Sequence, residues 1–185
     1  MPQPTDEELV AQVQQGNQHA FNILVERYMA KIKRYARKFL FGYEDAEDLA
    51  QEVFIKAYIN IQSFDTSRSF SPWLYRIAHN QFINTIKKKG KEAIPFFDPD
   101  TLFPHPVATE TTDDVAHKRE MKEMIDRCLA ELKPKYRELL TLYYYEDMSY
   151  QEIAEVLHVP VSTVGVQLKR GRESMQKIYH NLIAS

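Results

Sequence analysis

Apolar residues recur every three or four positions along most of this chain, and the repeats break at glycine, proline or short polar segments, the pattern of consecutive amphipathic helices. Thr5 and Glu8 have capping-box spacing, and Gly16 is suited to close a short first helix in the left-handed conformation. Asn17 caps a second helix in which Phe21, Leu24, Val25, Tyr28, Ile32, Tyr35, Ala36 and Phe39 form one face up to Gly42. A third starts near Glu44, with Leu49, Val53, Ala57 and Ile61 on one stripe. A fourth has Pro72 at its first helical position and runs through Leu74, Ile77, Ala78 and Phe82 to the stop at Lys87, Lys88, Lys89 and Gly90.

The far end of the chain reads the same way in shorter pieces. Met121, Met124, Ile125, Cys128, Leu129 and Leu132 mark a helix that Pro134 ends, and Tyr136, Leu139, Leu140 and Tyr143 carry the next to Glu146. Ser149 with Glu152 is a second capping box, followed by Ile153, Ala154 and Leu157. After a break over residues 158–161, Ser162 is expected to cap a last helix with Val164, Leu168, Met175, Ile178 and Leu182 on its buried stripe. A short helix, a tight turn and a longer helix is the helix-turn-helix arrangement.

Between the two ends the periodicity stops, and there charge changes the picture. Of the 185 residues, 24 are basic and 26 acidic. Residues 1–90 carry 12 basic and 10 acidic groups, 91–117 carry 1 and 6, and 118–185 carry 11 and 10. The acidic middle also holds Pro95, Pro99, Pro104 and Pro106. The expected fold is all-α: two small helical domains, 1–90 and 118–185, joined by a flexible acidic linker over 91–117. No apolar run approaches the roughly 20 residues of a membrane span. Met1 to Glu8 has neither the basic nor the apolar region of a secretory signal. The single Cys128 excludes an internal disulfide and a thiol-based zinc site, so the expected location is the cytoplasm.

Four groups of residues offer chemistry. Asp45, Asp48 and Glu52, with Gln51 beside them, share one face of the third helix; a lone helix suits a basic partner surface better than a metal, and a solvated face explains it as well. The segment Phe64, Asp65, Thr66, Ser67, Arg68, Ser69 and Phe70, with Arg76 and Asn80 one turn apart beyond it, can hold an unstacked base by its face and edge, although its aromatics, Trp73 above all, equally suit a core. Lys31, Lys33, Arg34, Arg37 and Lys38 make a positive helix face fit for a phosphate backbone or for solvent. Ser162, Thr163, Gly165, Val166, Lys169, Arg170 and Arg172 open the last helix, where a major groove would be read. No catalytic residue, cofactor, metal or small-molecule substrate is expected, since no nucleophile and base, phosphate-binding loop or ligand spacing occurs.

The runs from Asp45 to Phe54, Phe70 to Asn80, Ser149 to Glu155 and Val159 to Val164 together resemble the bacterial extracytoplasmic-function (ECF) sigma factors of the sigma-70 family, in that family's order and spacing. The resemblance implies sigma region 2 followed by sigma region 4. It implies that Asp45, Asp48, Gln51 and Glu52 bind the clamp helices of the largest subunit of core RNA polymerase. Phe64 to Phe70, with Arg76 and Asn80, would then capture a flipped base of the minus 10 element, and Ser162, Thr163, Gly165, Val166, Lys169, Arg170 and Arg172 would read promoter DNA at minus 35. The linker would thread polymerase channels, and a cognate anti-sigma factor would be a further partner. The chain departs from the family where Ser162, Gly165 and Val166 stand. Two other classes remain at this point: a dimeric operator-binding regulator with a sensing bundle, which needs neither the acidic face nor the loop before Trp73, and a polymerase-sequestering decoy, which needs no DNA surface.

Overall fold

Residues 3–40, 46–89 and 112–184 are described by the computed structural model of the chain, and all their regular structure is helical. The helices are α1 (Asp6–Gln14), α2 (Gln18–Phe39), α3 (Ala46–Asn60), α4 (Phe70–Lys89), α5 (Thr112–Glu131), α6 (Pro134–Tyr144), α7 (Tyr150–Leu157) and α8 (Val161–Ile183), with a 3-10 turn at Ile61–Ser63. Gly42, Glu44, Asp45, Gly90 and the four linker prolines lie outside the described residues. Helix α5 starts at Thr112, inside the segment the composition assigns to the linker.

Local capping accounts for several boundaries. Both capping boxes form, Thr5 with Glu8 and Ser149 with Glu152. Gly16 has φ +98°, and Asn17 accepts the His19 N–H at 3.1 Å. Two expectations shift. Pro72 is the third residue of α4 rather than the first, because the Glu7 carboxylate accepts the Phe70 N–H at 2.9 Å and starts the helix early. Proline is tolerated there since the first four N–H groups of a helix need no internal partner. Ser162 is not a cap: Pro160 holds that position without a side-chain bond, and the turn before it closes at His158, whose φ is 54°.

Helices α1 to α4 pack around Leu9, Leu24, Ile32, Tyr35, Phe39, Val53, Phe70, Leu74 and Phe82, all nearly without exposure. Helices α5 to α8 pack around Leu129, Leu139, Leu140, Ile153, Val164 and Leu168. The two units touch, α6 lying on α2 and α7 on α4. Two carboxylates of the second unit are buried in this contact. Glu138 accepts from the Tyr35 hydroxyl at 2.5 Å and lies 2.6 Å from His79 Nδ1. Glu146 accepts two bonds from Arg34, both at 2.8 Å, and one from the Tyr75 hydroxyl at 2.5 Å. A buried carboxylate costs several kcal/mol to desolvate, so this satisfaction is what makes the contact tolerable.

Burial, and next to it the neighbouring carboxylate, pushes the phenols of Tyr28, Tyr35 and Tyr75 well above the usual tyrosine range. A folded-state value above the unfolded one means that the stability each phenol confers is complete below about pH 10 and declines above it, by about 1.4 kcal/mol per pH unit for each. Urea unfolding at successive alkaline pH values is therefore expected to show stability dropping steeply from about pH 10 upward; a level profile would contradict the burial of these three groups.

Candidate polymerase and promoter interfaces

Helix α3 turns Leu49, Ala50, Val53, Phe54 and Ala57 inward, which leaves Asp48, Gln51 and Glu52 together on the exposed side. Among the described residues no basic group pairs with Asp48 or Glu52; Glu52 accepts only from the Gln81 amide of α4. Ile55 and Ile59 continue the same face at 60% and 70% exposure, an apolar extension that residue spacing had not singled out. Asp45 lies outside the described residues. The next acid along, Glu47, is engaged: Arg37 and Lys33 bind it and hold its carboxyl below the usual carboxylate range.

The basic cluster of α2 therefore is not a free phosphate-binding face. Arg34 binds Glu146, Lys38 binds Asp126, Arg37 and Lys33 bind Glu47, and the Lys31 ammonium sits 5.1 Å from the centre of the Tyr28 ring. These charges join α2 to α3 and to the second helical unit.

The loop between α3 and α4 divides into two kinds of residue. Phe64 and Phe70 are 7% and 1% exposed and pack on each other and on Trp73, with ring centroids 5.0–5.9 Å apart. Both rings pack into the aromatic core; Phe64 also lines the pocket beside the loop, whereas Phe70 does not. Asp65 to Ser69 are exposed. Asp65 accepts from the Ser67 backbone N–H at 3.0 Å and its hydroxyl at 2.7 Å, bonds that keep its carboxyl below the ordinary range and give the loop its turn. Phe64, Asp65, Arg68, Ser69, Trp73 and Arg76 line a small pocket with Ser63 and Pro72, and Glu155 of α7 closes one side of it, 3.4 Å from Arg68. Asn80 is exposed farther along α4.

At the start of α8, Ser162, Val166, Lys169 and Arg170 are exposed while Val164, Leu168 and Gly171 are buried. Thr163 and Gly165 are half-buried, and a Cβ at Gly165 would stand 3.5 Å from the Tyr150 ring, so this position meets α7 as well as solvent. Arg172 is exposed too, and borders an apolar groove lined by Met124, Ile125, Cys128, Tyr144 and Met175. Neutralising Lys169 or Arg170 is expected to reduce the log-log salt dependence of duplex binding by about 0.9 for each phosphate that the side chain neutralises. Fluorescence anisotropy over a salt series reads this slope, and an unaltered slope in both variants would remove them from the phosphate-binding set.

The buried acids Glu138, Glu146 and Asp126 carry no motif. One signal is available for Glu138: α6 has apolar residues on more than one side, with Leu142 and Tyr145 opposite Tyr136 and Leu140, as in a helix packed between two layers.

A helix-turn-helix unit with an exposed basic end, tied to a second helical unit with an open acidic strip, defines a modular DNA-binding protein. Residues 24–92 match the family model for Sigma-70 region 2, and residues 122–175 match that for Sigma-70, region 4. The chain is 38% identical over 181 residues to the ECF RNA polymerase sigma factor SigW of Bacillus subtilis, covering 94% of this chain and 96% of that protein. It is 32% identical over 188 residues to the ECF RNA polymerase sigma-E factor of Escherichia coli, covering 98% and 97%. The solved structure of CnrH in complex with the cytosolic domain of CnrY superposes with a TM-score of 0.71 at 26% identity, over 96% of this chain and 99% of that one. The chain belongs to the ECF RNA polymerase sigma factors: it is a non-enzymatic factor that directs RNA polymerase in promoter recognition. No helix among the described residues is long and apolar enough to cross a membrane.

Proposed function

We propose that this factor docks on core RNA polymerase through Asp48, Gln51 and Glu52, with Asp45, outside the described residues, assigned to the same role by the family resemblance, and reads promoters with two separate surfaces. What carries the docking assignment is that the Asp48 and Glu52 carboxylates stand exposed, with no basic group among the described residues covering them, while the neighbouring Glu47 is engaged. The partner is a basic surface such as the clamp helices. The exposed loop from Asp65 to Ser69, with Arg76 and Asn80, takes the flipped base of the minus 10 element, with Phe64 and Phe70 supporting the loop from the core. Flipping costs a few kcal/mol, which contacts in the pocket must offset. A nucleotide entering that pocket meets the exposed Glu155 side chain and takes its place beside Arg68. Ser162, Thr163, Gly165, Val166, Lys169, Arg170 and Arg172 present the minus 35 surface.

The factor works where polymerase and chromosome are, in the cytoplasm. A cognate anti-sigma factor is a further partner on this reading, in keeping with the CnrH relative, whose solved structure includes the cytosolic domain of CnrY. Transcription in vitro with purified core enzyme and a promoter library tests the whole assignment. Enrichment of templates with paired minus 10 and minus 35 preferences is expected; transcription indifferent to both elements would refute it.

A further inference from the structure

Helix α1 lies ahead of the matched region 2, which begins at residue 24, yet it holds both ends of the loop assigned to the minus 10 base. The Gln14 side-chain amide donates both its hydrogens, to the carbonyls of Ile61 and Phe64, each at 2.8 Å. These are the first residue of the 3-10 turn and the residue at the root of the exposed loop, already joined by the Phe64 N–H to Ile61 carbonyl bond of 3.1 Å. At the other end the Glu7 carboxylate accepts the Phe70 N–H at 2.9 Å, the first N–H of α4. Residues 7 and 14 are seven positions apart and so lie on one face of α1, about 10 Å along its axis.

The helix is itself pinned. Asp6 binds Arg27 at 2.6 Å and the Tyr28 hydroxyl at 2.5 Å, and Leu9, Val10 and Val13 are buried against the bundle. The two loop attachments therefore sit on a rigid support, and their separation sets the span over which Asp65 to Ser69 must arch.

We propose that Gln14 and Glu7 are positioning residues for base capture: α1 acts as a ruler that sets the shape of the minus 10 loop and thereby its base preference. The chemistry at each end is specific. A primary amide of this length supplies two donors to two carbonyls without bringing in a charge. Glutamate at position 14 has the same shape but sets a carboxylate against both oxygens. At position 7 an acceptor alone is required, which glutamine retains and alanine lacks.

This inference rests on the assignment of the loop to the minus 10 element, and the experiment separates the two. Transcription with core polymerase is run on templates randomised at the upstream melted edge, with wild type, Gln14→Ala, Gln14→Glu, Glu7→Ala, Glu7→Gln and the loop variant Arg68→Ala. The readout is the ratio of output between the preferred and other bases, alongside core binding. Gln14→Ala, Gln14→Glu and Glu7→Ala are expected to flatten that ratio by about fivefold to tenfold, the equivalent of one to two hydrogen bonds, while core binding is kept. Glu7→Gln is expected to keep the wild-type ratio. General destabilisation would instead lower output equally for every base, which would overturn the positioning role. An unchanged ratio in both Gln14 variants, with Arg68→Ala flattening it, overturns the positioning role alone. An unchanged ratio in Arg68→Ala and in all the α1 variants overturns the loop assignment as well.

Discussion

Reversing charge at both Asp48 and Glu52, to lysine, is expected to abolish binding to core RNA polymerase while the protein stays folded. Both side chains are exposed and neither has a basic partner among the described residues, so the helix bundle does not depend on them. Substitutions at such positions usually change stability by about 0.5 kcal/mol or less. Asp48 also lies in the first turn of α3, where a lysine forfeits about 0.3–1 kcal/mol of interaction with the helix dipole. At the interface the effect is far larger. Close charge pairs across protein interfaces couple by about 1.5–7 kcal/mol, and reversal replaces attraction with repulsion at two points. Even the lower figure at each site amounts to more than about a hundredfold in affinity. Titration of labelled factor with core enzyme reads the loss, and circular dichroism confirms the fold. Unchanged affinity in a folded double variant would exclude this strip as the docking surface.

Phe70→Ala is expected to cost about 3–5 kcal/mol of stability, the range for truncating a buried phenylalanine. Its ring is 1% exposed and lies 5.6 Å from both Tyr28 and Trp73 and 5.9 Å from Phe64, centroid to centroid. Against a total of about 5–15 kcal/mol for a small domain, that loss brings region 2 close to unfolding at working temperature. Arg68→Ala, at an exposed loop position, is expected to leave stability within about 0.5 kcal/mol and to act on promoter opening alone. Urea denaturation of the two variants beside transcription in vitro distinguishes the roles. A Phe70→Ala protein of wild-type stability that fails to open promoters would return this ring to the base-stacking role its exposed neighbours suggest.

The contrast between Phe70 and Arg68 shows how far residue patterns reach. Both stand in one hydroxyl-rich, aromatic segment, and nothing local distinguishes a ring that holds a base from a ring that holds the loop. The distinction comes from Tyr28, on α2 and far away in the sequence, whose ring packs on Phe70. The basic cluster of α2 is similar: five cations on one helix read as a phosphate-binding face, but the acids that occupy four of them lie between 10 and 112 positions away. Gln14 and Glu7 could not be picked out either, since their partners are backbone groups 47 to 63 residues distant and carry no side-chain signature.

Legible in the residue order alone were the features whose physics closes within a turn or two of chain. These are the capping boxes at Thr5 and Ser149, the left-handed Gly16, the apolar stripes, the helix-turn-helix and the exposed acids of α3. Their spacing also carried the family resemblance. The packed chain decided which members of each candidate set are free to meet a partner. It buried Phe64 and Phe70, paired four cations of α2, placed Gly165 against Tyr150 and set Glu155 at the edge of the pocket beside the loop before α4. Exposure and charge pairing depend on groups brought together by folding, and no short-range periodicity encodes them.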